Sequence, residues 1–244
     1  MHILTAVVYR VDERPASYNQ ETMLAQPVRW MRTVAQSCAF VLVCSFLCLG
    51  GTKEFVMPRA QPARSYPAKD DHLRESVAVA VDPYDMADKA SIFTVRYSDI
   101  GFLPVFLVIT NDSDQPVELA QIKAQLVTVN RTKLDPALED DIERRLSRPS
   151  ARASRYPLPI PRTKVKGGVG KQAREEIQNA MFRARAVEPH STQAGFLFFD
   201  VADISTPLAG AHFYLTGVRD SKGNELMYFE VPLEKYLSAP SKSD

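Results

Sequence analysis

Residues 103–110 read Leu-Pro-Val-Phe-Leu-Val-Ile-Thr, and this stretch decides the fold class of the chain. The run is almost entirely apolar, and it ends at residues 111–114, Asn-Asp-Ser-Asp, which favour a turn. A short apolar run bounded by turn residues is typical of a strand that is buried on both faces. We therefore expect residues 103–110 to form a central strand of a sheet.

Seven further segments have the composition of short strands. They are residues 76–81, 92–97, 117–119, 122–129, 195–201, 211–218 and 226–231. The first two alternate in polarity, which is the period of a half-buried strand. Residues 220–224, Asp-Ser-Lys-Gly-Asn, predict a hairpin turn between the last two strands. Because strands and helices do not alternate along the chain, we predict an all-β sandwich rather than an α/β fold.

A different pattern interrupts the strands at about residues 134–186. Residues 136–146 predict a helix, because Asp135 is a suitable cap and Pro136 suits the first turn. Residues 148–170 are rich in proline, glycine and basic residues, which indicates irregular or polyproline II structure. Residues 171–182 predict a second short helix. We thus expect a sandwich over residues 74–237 that carries a short helical, basic insertion.

Charge is unevenly distributed, although 30 Lys and Arg nearly balance 29 Asp and Glu. Residues 144–185 carry twelve bases and two acids, whereas residues 73–143 carry six bases and thirteen acids. Three interpretations stay open: a solvated loop, a contact with the domain's own acidic face, or an anionic partner. The candidate contact residues are Arg144, Arg145, Arg148, Arg152, Arg155, Tyr156, Arg162, Lys164 and Lys166.

The N-terminal region has the features of an export signal. Residues 38–49 are uncharged and mostly apolar, Arg29 and Arg32 precede them, and two glycines follow. Residues 31–51 therefore predict a signal peptide or a membrane anchor; a lipid-modified cysteine and a buried core helix are the other interpretations. Residues 52–73 predict a proline-rich linker and residues 238–244 a tail. We regard residues 1–30 as a doubtful leader and hypothesise a mis-called start codon, with Met31 as the true start.

Catalytic signatures are absent from the sequence. The four histidines lack metal-ligand spacing, the three cysteines all lie in the apolar run, and no G-x-S-x-G motif occurs. We expect no cofactor, no metal and no enzymatic activity. Asn111 and Asn130 begin glycosylation-type motifs, of which the first is better explained as a turn.

Two stretches resemble bacterial extracytoplasmic immunoglobulin-like domains. Residues 110–116, Thr-Asn-Asp-Ser-Asp-Gln-Pro, are similar to the turn that joins two core strands in those domains. Residues 187–192 and the phenylalanine-rich run at 195–199 are similar to their later hairpin. The chain as a whole also resembles exported proteins of soil bacteria. The resemblance implies an immunoglobulin-like sandwich in an exported location, and it carries over no catalytic residue.

Together these patterns predict an exported, non-enzymatic envelope protein, periplasmic or tethered on the outer side of the inner membrane, that acts as an interaction or assembly module. The expected partner is an envelope protein or an anionic surface, such as lipid head groups or cell-wall polymer; nucleic acid is not expected. The alternative is a sugar-binding or hydrolytic domain that uses a groove near Tyr84, Asp85, Asp88 and Tyr97. A concave pocket where those side chains converge would favour the alternative.

Overall fold

The computed structural model of the chain describes residues 54–147 and 169–238. The chain divides into two units, Met1–Thr52 and Lys53–Asp244, and the description concerns the second. Its strands are β1 Lys69–His72, β2 Val77–Pro83, β3 Phe102–Asn111, β4 Val117–Glu118, β5 Lys123–Val127, β6 Lys133–Leu134, β7 Ala186–Val187, β8 Ser191–Asp200, β9 His212–Thr216 and β10 Phe229–Pro232. Its α-helices are α1 Ala87–Ala90, α2 Glu139–Leu146, α3 Lys171–Ala180 and α4 Glu234–Leu237.

The strands form antiparallel sheets, which confirms the predicted all-β class. The first sheet has the order β1-β2-β3-β8, and the second has the order β10-β9-β5-β6. Strands β4 and β7 form a small two-stranded sheet. Strand β3 contains the apolar run at 103–110 and is buried at every position, as the sequence predicted.

One hydrophobic cluster, here called the inner cluster, contains residues from both four-stranded sheets. Val79 and Leu107 enter it from the first sheet, and Phe213 and Phe229 enter it from the second. Successive side chains of a strand point to opposite faces, so alternate residues of each sheet build this core.

The other face of the first sheet is covered as well. Ala80, Phe106 and Phe196 belong to a second cluster, here called the outer cluster, together with Ile142 from α2 and Ile177 from α3. This double burial explains why β3 lacks the alternation of a half-exposed strand. On the second sheet, by contrast, the positions between core residues on β5, β9 and β10 stay partly exposed.

The predicted strand at 92–97 is wrong. This region follows α1 through turns and enters a 3-10 helix at Tyr97–Ile100. Phe93 and Tyr97 are both buried in the outer cluster. The backbone N–H groups of Thr94 and Val95 donate to the Glu176 carboxylate on α3, at 2.6 and 3.2 Å, instead of to a neighbouring strand.

The two predicted helices are present, but the first begins later than expected. Helix α2 starts at Glu139, because residues 136–137 attach to the edge of β8, where Ala137 N–H donates to Phe198 O at 2.7 Å. The Asp135 carboxylate accepts a hydrogen bond from Gln125 and does not cap the helix. Helix α3 ends at Ala180, two residues before the predicted end, because Phe182 N–H donates to Phe196 O of β8.

The predicted linker at 52–73 is partly folded. Ala63 is fully buried, a 3-10 helix spans Ala63–Ser65, and β1 pairs with β2. Residues 69–72 are Lys-Asp-Asp-His and have no apolar pattern, so this strand is recognisable only from its pairing with β2. The predicted signal or anchor at 31–51 lies outside the described residues. In residues 54–147 and 169–238, no helix is long and apolar enough to cross a membrane.

Candidate functional site

Helices α2 and α3 form a pair that we call the insertion stem. Their buried residues Ile142 and Ile177 both belong to the outer cluster. On the solvent side, Arg174 Nε lies 2.7 Å from Glu143 Oε1, and Arg183 Nη2 lies 2.9 Å from Glu139 Oε2. Apolar packing against the first sheet and ion pairs on the solvent side therefore hold the two helices that flank residues 148–168.

The structure describes two of the nine residues predicted to form the basic contact surface. Arg144 and Arg145 lie on α2. Arg144 is exposed and pairs with Asp141, one turn earlier on the helix, at 3.0 Å. The remaining seven predicted residues lie outside the described part of the chain: Arg148, Arg152, Arg155, Tyr156, Arg162, Lys164 and Lys166.

Arg145 has a structural role. Its guanidinium donates to both carboxylate oxygens of Asp200 at the end of β8 and to the Ile100 carbonyl. It also lies over the Phe102 ring, 4.7 Å from the ring centroid. The hydrogen bond to Asp200 raises the pKa of Arg145. The side chain therefore connects α2 to the first sheet. For Arg145, this contact is of the kind in which the basic insertion binds the domain's own acidic residues.

A groove of about 540 Å³ runs beside α2. Arg144 and Arg145 line it together with the carboxylates of Asp135, Asp141 and Asp200. Acids outnumber bases here, so this groove by itself does not favour an anion. The two arginines closest to the fold are already neutralised by neighbouring carboxylates.

The bases on α3 and Arg183, which follows it, are also paired with carboxylates. Lys171 lies 3.4 Å from Glu175, while Arg174 and Arg183 pair with the two glutamates of α2. Residues 148–168, between the helices, contain six bases and no acid. The sequence of the insertion therefore concentrates its excess of bases between the two helices of the stem.

The alternative site coincides with a concave groove of about 760 Å³. Tyr84, Asp85 and Tyr97 line it, but Asp88 does not. Asp85 accepts a hydrogen bond from the Tyr236 hydroxyl at 2.7 Å and is the single carboxylate among the described lining residues. The groove brings three of the four predicted residues together, and it offers one carboxylate where glycoside hydrolysis ordinarily uses two.

Two tyrosines of this groove have a strongly raised pKa. Burial is the main cause for Tyr84, followed by the charge of Asp82. Burial is also the main cause for Tyr97, followed by the charge of Glu176, and the Tyr97 hydroxyl has no hydrogen-bond partner that meets geometric criteria among the described residues. Tyr97 is 2% exposed, and both rings pack in the outer cluster.

Residues 82–88 contain three aspartates, and Lys89 pairs with one of them, Asp82. Its Nζ lies 4.8 Å from the Tyr84 ring centroid and 4.7 Å from that of Tyr236. The same ammonium donates to Asp82 Oδ1 at 2.6 Å. A cation between two aromatic rings and beside a carboxylate is a favourable arrangement. These contacts tie α1 to β2 and to the C-terminal helix α4.

Sequence reasoning missed a group of polar and aromatic residues on the second sheet. His212 and Tyr214 occupy the partly exposed positions of β9, and Glu230 lies opposite Tyr214 on β10. Tyr228 directly precedes β10 and is 52% exposed. The available signal was the alternation of 212–216, which places a histidine and a tyrosine where an exposed sheet face usually carries small or charged residues.

Comparisons with known proteins add little to this geometry. No protein-family model matches the chain, and no curated protein matches it. Among solved structures, the chain is similar to a conserved hypothetical protein from Bacillus anthracis, with 11% identity over 64% of this chain and 87% of that chain and a TM-score of 0.28. Similarity at this level supports no conclusion about fold or function. In the described ranges, no group of three or more His, Cys, Asp or Glu residues is placed to hold a metal ion.

Proposed function

We propose that this chain is an exported, non-enzymatic envelope protein that acts as an interaction or assembly module. Its domain is an immunoglobulin-like β-sandwich, periplasmic or tethered outside the inner membrane, that displays the basic insertion. Two four-stranded antiparallel sheets with a shared inner cluster support the sandwich. The hydrogen-bonded turn after Asn111 supports the immunoglobulin-like assignment.

One observation carries the functional part of the proposal: the contrast between the stem and the segment that it holds. Lys171 and Arg174 of the stem, and Arg183 shortly after it, each pair with a glutamate. Residues 148–168 have six bases and no acid in their sequence. Two helices held by apolar packing and ion pairs, with a segment of this composition between them, fit the binding of an anionic partner.

The favoured partner is an anionic surface: phospholipid head groups, cell-wall polymer or an acidic envelope protein. Four of the six bases are arginines, namely Arg148, Arg152, Arg155 and Arg162. Guanidinium groups bind phosphate and carboxylate through paired hydrogen bonds. A basic segment near a membrane gains about 1 kcal/mol for each Lys or Arg close to an anionic surface.

The test measures binding to vesicles of phosphatidylglycerol and to vesicles of phosphatidylcholine. Replacement of Arg148, Arg152, Arg155 and Arg162 by glutamine should weaken binding to the anionic vesicles by about 4 kcal/mol, roughly 1,000-fold. The matched control replaces four exposed bases of the described domain that are not candidate contact residues by glutamine: Arg74, Lys123, Lys133 and Lys222. Unchanged binding in the first variant, or an equal loss in the control, would remove the proposal.

The second candidate function is sugar binding in the groove of about 760 Å³. The concavity beside Tyr84 and Asp85 favours it, because ligand sites are concave and combine apolar walls with a few polar groups. Ala87→Trp should block such a site, since Ala87 is exposed and lines the groove. Ala120→Trp, at an exposed position away from the groove lining, is the control. An oligosaccharide titration followed by NMR that moves no groove resonance would end this alternative.

A further inference from the structure

The outward face of the second sheet carries a row of aromatic rings. His212 and Tyr214 are stacked with centroids 6.2 Å apart, and the Tyr214 and Tyr228 centroids are also 6.2 Å apart. The exposed face of an antiparallel sheet is ordinarily polar, because water covers it. Partly exposed rings at consecutive outward positions therefore mark this face as unusual, and residues of this kind are enriched in protein interfaces.

Carboxylates accompany the rings. Glu230 Oε1 accepts a hydrogen bond from the Tyr214 hydroxyl at 2.7 Å and lies 2.9 Å from His212 Nδ1. Asp70 Oδ2 accepts the Glu230 backbone N–H at 2.9 Å and lies 3.3 Å from His72 Nε2. Strand β1 of the first sheet thus brings a second carboxylate to the edge of the second sheet.

These side chains line a groove of about 380 Å³, whose lining includes Asp70, His72, His212, Tyr228 and Glu230. Lys235 also lines it and forms no ion pair within residues 54–147 and 169–238. Two carboxylates against one ammonium leave the groove with a net negative charge when the histidines are neutral. Its charge therefore complements a cation and opposes an anion.

The domain contains a filled example of this arrangement. Lys89 lies over the rings of Tyr84 and Tyr236, at 4.8 and 4.7 Å, and beside the Asp82 carboxylate at 2.6 Å. Tyr228 and Glu230 line the groove and provide a tyrosine ring and a carboxylate, and the Tyr214 ring lies beside the groove, next to both. A cation there would gain attraction to the ring faces as well as to the carboxylate.

We propose that this groove is a docking site for a basic protein segment, with a lysine or arginine side chain of the partner placed against the Tyr228 ring and the Glu230 carboxylate. Long basic side chains can reach into a narrow groove while the partner backbone stays on the sheet face. The site lies on the second sheet, whereas the proposed anionic partner uses the insertion, so the two proposals stand or fall separately.

The test titrates the protein with a peptide of six lysines flanked by glycines and follows backbone amide resonances by NMR. The expected result is saturable shifts confined to β9, β10 and β1, and no such shifts with a peptide of six glutamates. Tyr228→Leu and Glu230→Gln should each weaken binding of the lysine peptide by at least roughly tenfold, as expected for loss of a ring contact or of the carboxylate charge. Glu188→Gln, an exposed change away from the groove, should bind like the parent protein.

Both groove variants are mild for the fold. Tyr228 is 52% exposed, and glutamine keeps the size of Glu230, so an unchanged spectrum outside the groove verifies folding. Absence of saturable shifts in the parent protein overturns the proposal. Equal binding by the parent and by both variants also overturns it, as does comparable binding of the glutamate peptide.

Discussion

The side-chain amide of Asn111 donates to the backbone carbonyl of Val187 at 3.1 Å, across 76 positions of sequence. The same amide donates to Gln115 O at 2.7 Å, while its oxygen accepts from Ser113 N–H at 3.0 Å. Asn111 is fully buried. One side chain therefore closes the turn after β3 and fastens that turn to β7, and its amide nitrogen is occupied rather than available as a glycan acceptor.

Asn111→Ala should lower the free energy of unfolding by about 2–3 kcal/mol, because it removes the buried hydrogen bond to Val187 O together with the bonds that close the turn. The matched control is Asn130→Ala, at the exposed asparagine of the second glycosylation-type motif, which should stay within about 0.5 kcal/mol. Urea unfolding of both variants measures the difference. Equal stabilities would contradict the role assigned to Asn111.

Glu176 and Glu175 are adjacent on α3 but have opposite environments. Glu176 is 3% exposed and accepts from Thr94 N–H and Val95 N–H, whereas Glu175 is exposed and pairs with Lys171. Glu176→Ala should cost about 2–4 kcal/mol, since it leaves two N–H donors without acceptors, and Glu175→Ala less than about 0.5 kcal/mol. Hydrogen exchange at Thr94 and Val95 should accelerate in the first variant alone. Protection at these amides that survives Glu176→Ala would show that another group holds this segment.

Gly217 and Gly223 have nearly the same backbone conformation but different surroundings, so replacing each by alanine compares the cost of steric crowding with the cost of backbone strain alone. Gly217 has φ +79° and Gly223 has φ +83°, but a Cβ on Gly217 would lie 2.2 Å from Gln121 O, whereas a Cβ on Gly223 would meet nothing within 4 Å. Gly223→Ala should cost about 1 kcal/mol for the left-handed conformation. Gly217→Ala should cost roughly 2 kcal/mol more, because the backbone at Gln121 must move. Thermal unfolding that ranks the two variants equally would refute the close contact.

Tyr214 gives the second sheet a sensitivity to alkaline pH. The hydrogen bond to Glu230, followed by burial, raises the pKa of Tyr214 to about 12. Since a free tyrosine has a pKa of about 10, this bond contributes its full stabilisation below about pH 10, and the contribution is lost as pH rises through 12. Glu230→Gln should lower the pKa of Tyr214, as measured by NMR of ¹³C-labelled tyrosine with Tyr214→Phe used for assignment. Glu234→Gln, an exposed change on α4, should leave it unaltered; an unchanged value in Glu230→Gln would refute the coupling.

Much of the fold is predictable because its core strands bury both faces. The run at 103–110 has no polar interruption, so its apolar composition alone indicates a central strand, and β3 confirms it. The strand predicted at 92–97 is absent because Phe93 and Tyr97 imitate strand alternation, whereas residues 93–96 form bends without regular structure before the 3-10 helix that begins at Tyr97. What holds that region is Glu176, about 80 positions later, and no local pattern contains that partner.

The candidate sites were harder to predict than the fold, because they depend on contacts between residues that are far apart in the sequence. Arg144 and Arg145 are equivalent bases in the sequence, yet Arg145 is bound by Asp200, 55 positions away, and Arg144 is exposed. The grouping of Tyr214 with Glu230 follows from the register of β9 and β10, which the sequence does not specify. Charge counting could find the basic insertion, but it could not separate the bases that hold the fold from those that are free to bind.

The paired helices of the insertion stem also determine how the chain can change over evolution. Ile142 and Ile177 anchor the two helices in the outer cluster, and Glu139 and Glu143 hold them together from above. The two ends of the connection between Ser147 and Val169 are therefore fixed by contacts of the helices themselves. Doubling the length of a connection between fixed ends costs only about 0.6 kcal/mol. We therefore expect related proteins that share these sheets to differ most in length and sequence between the two helices.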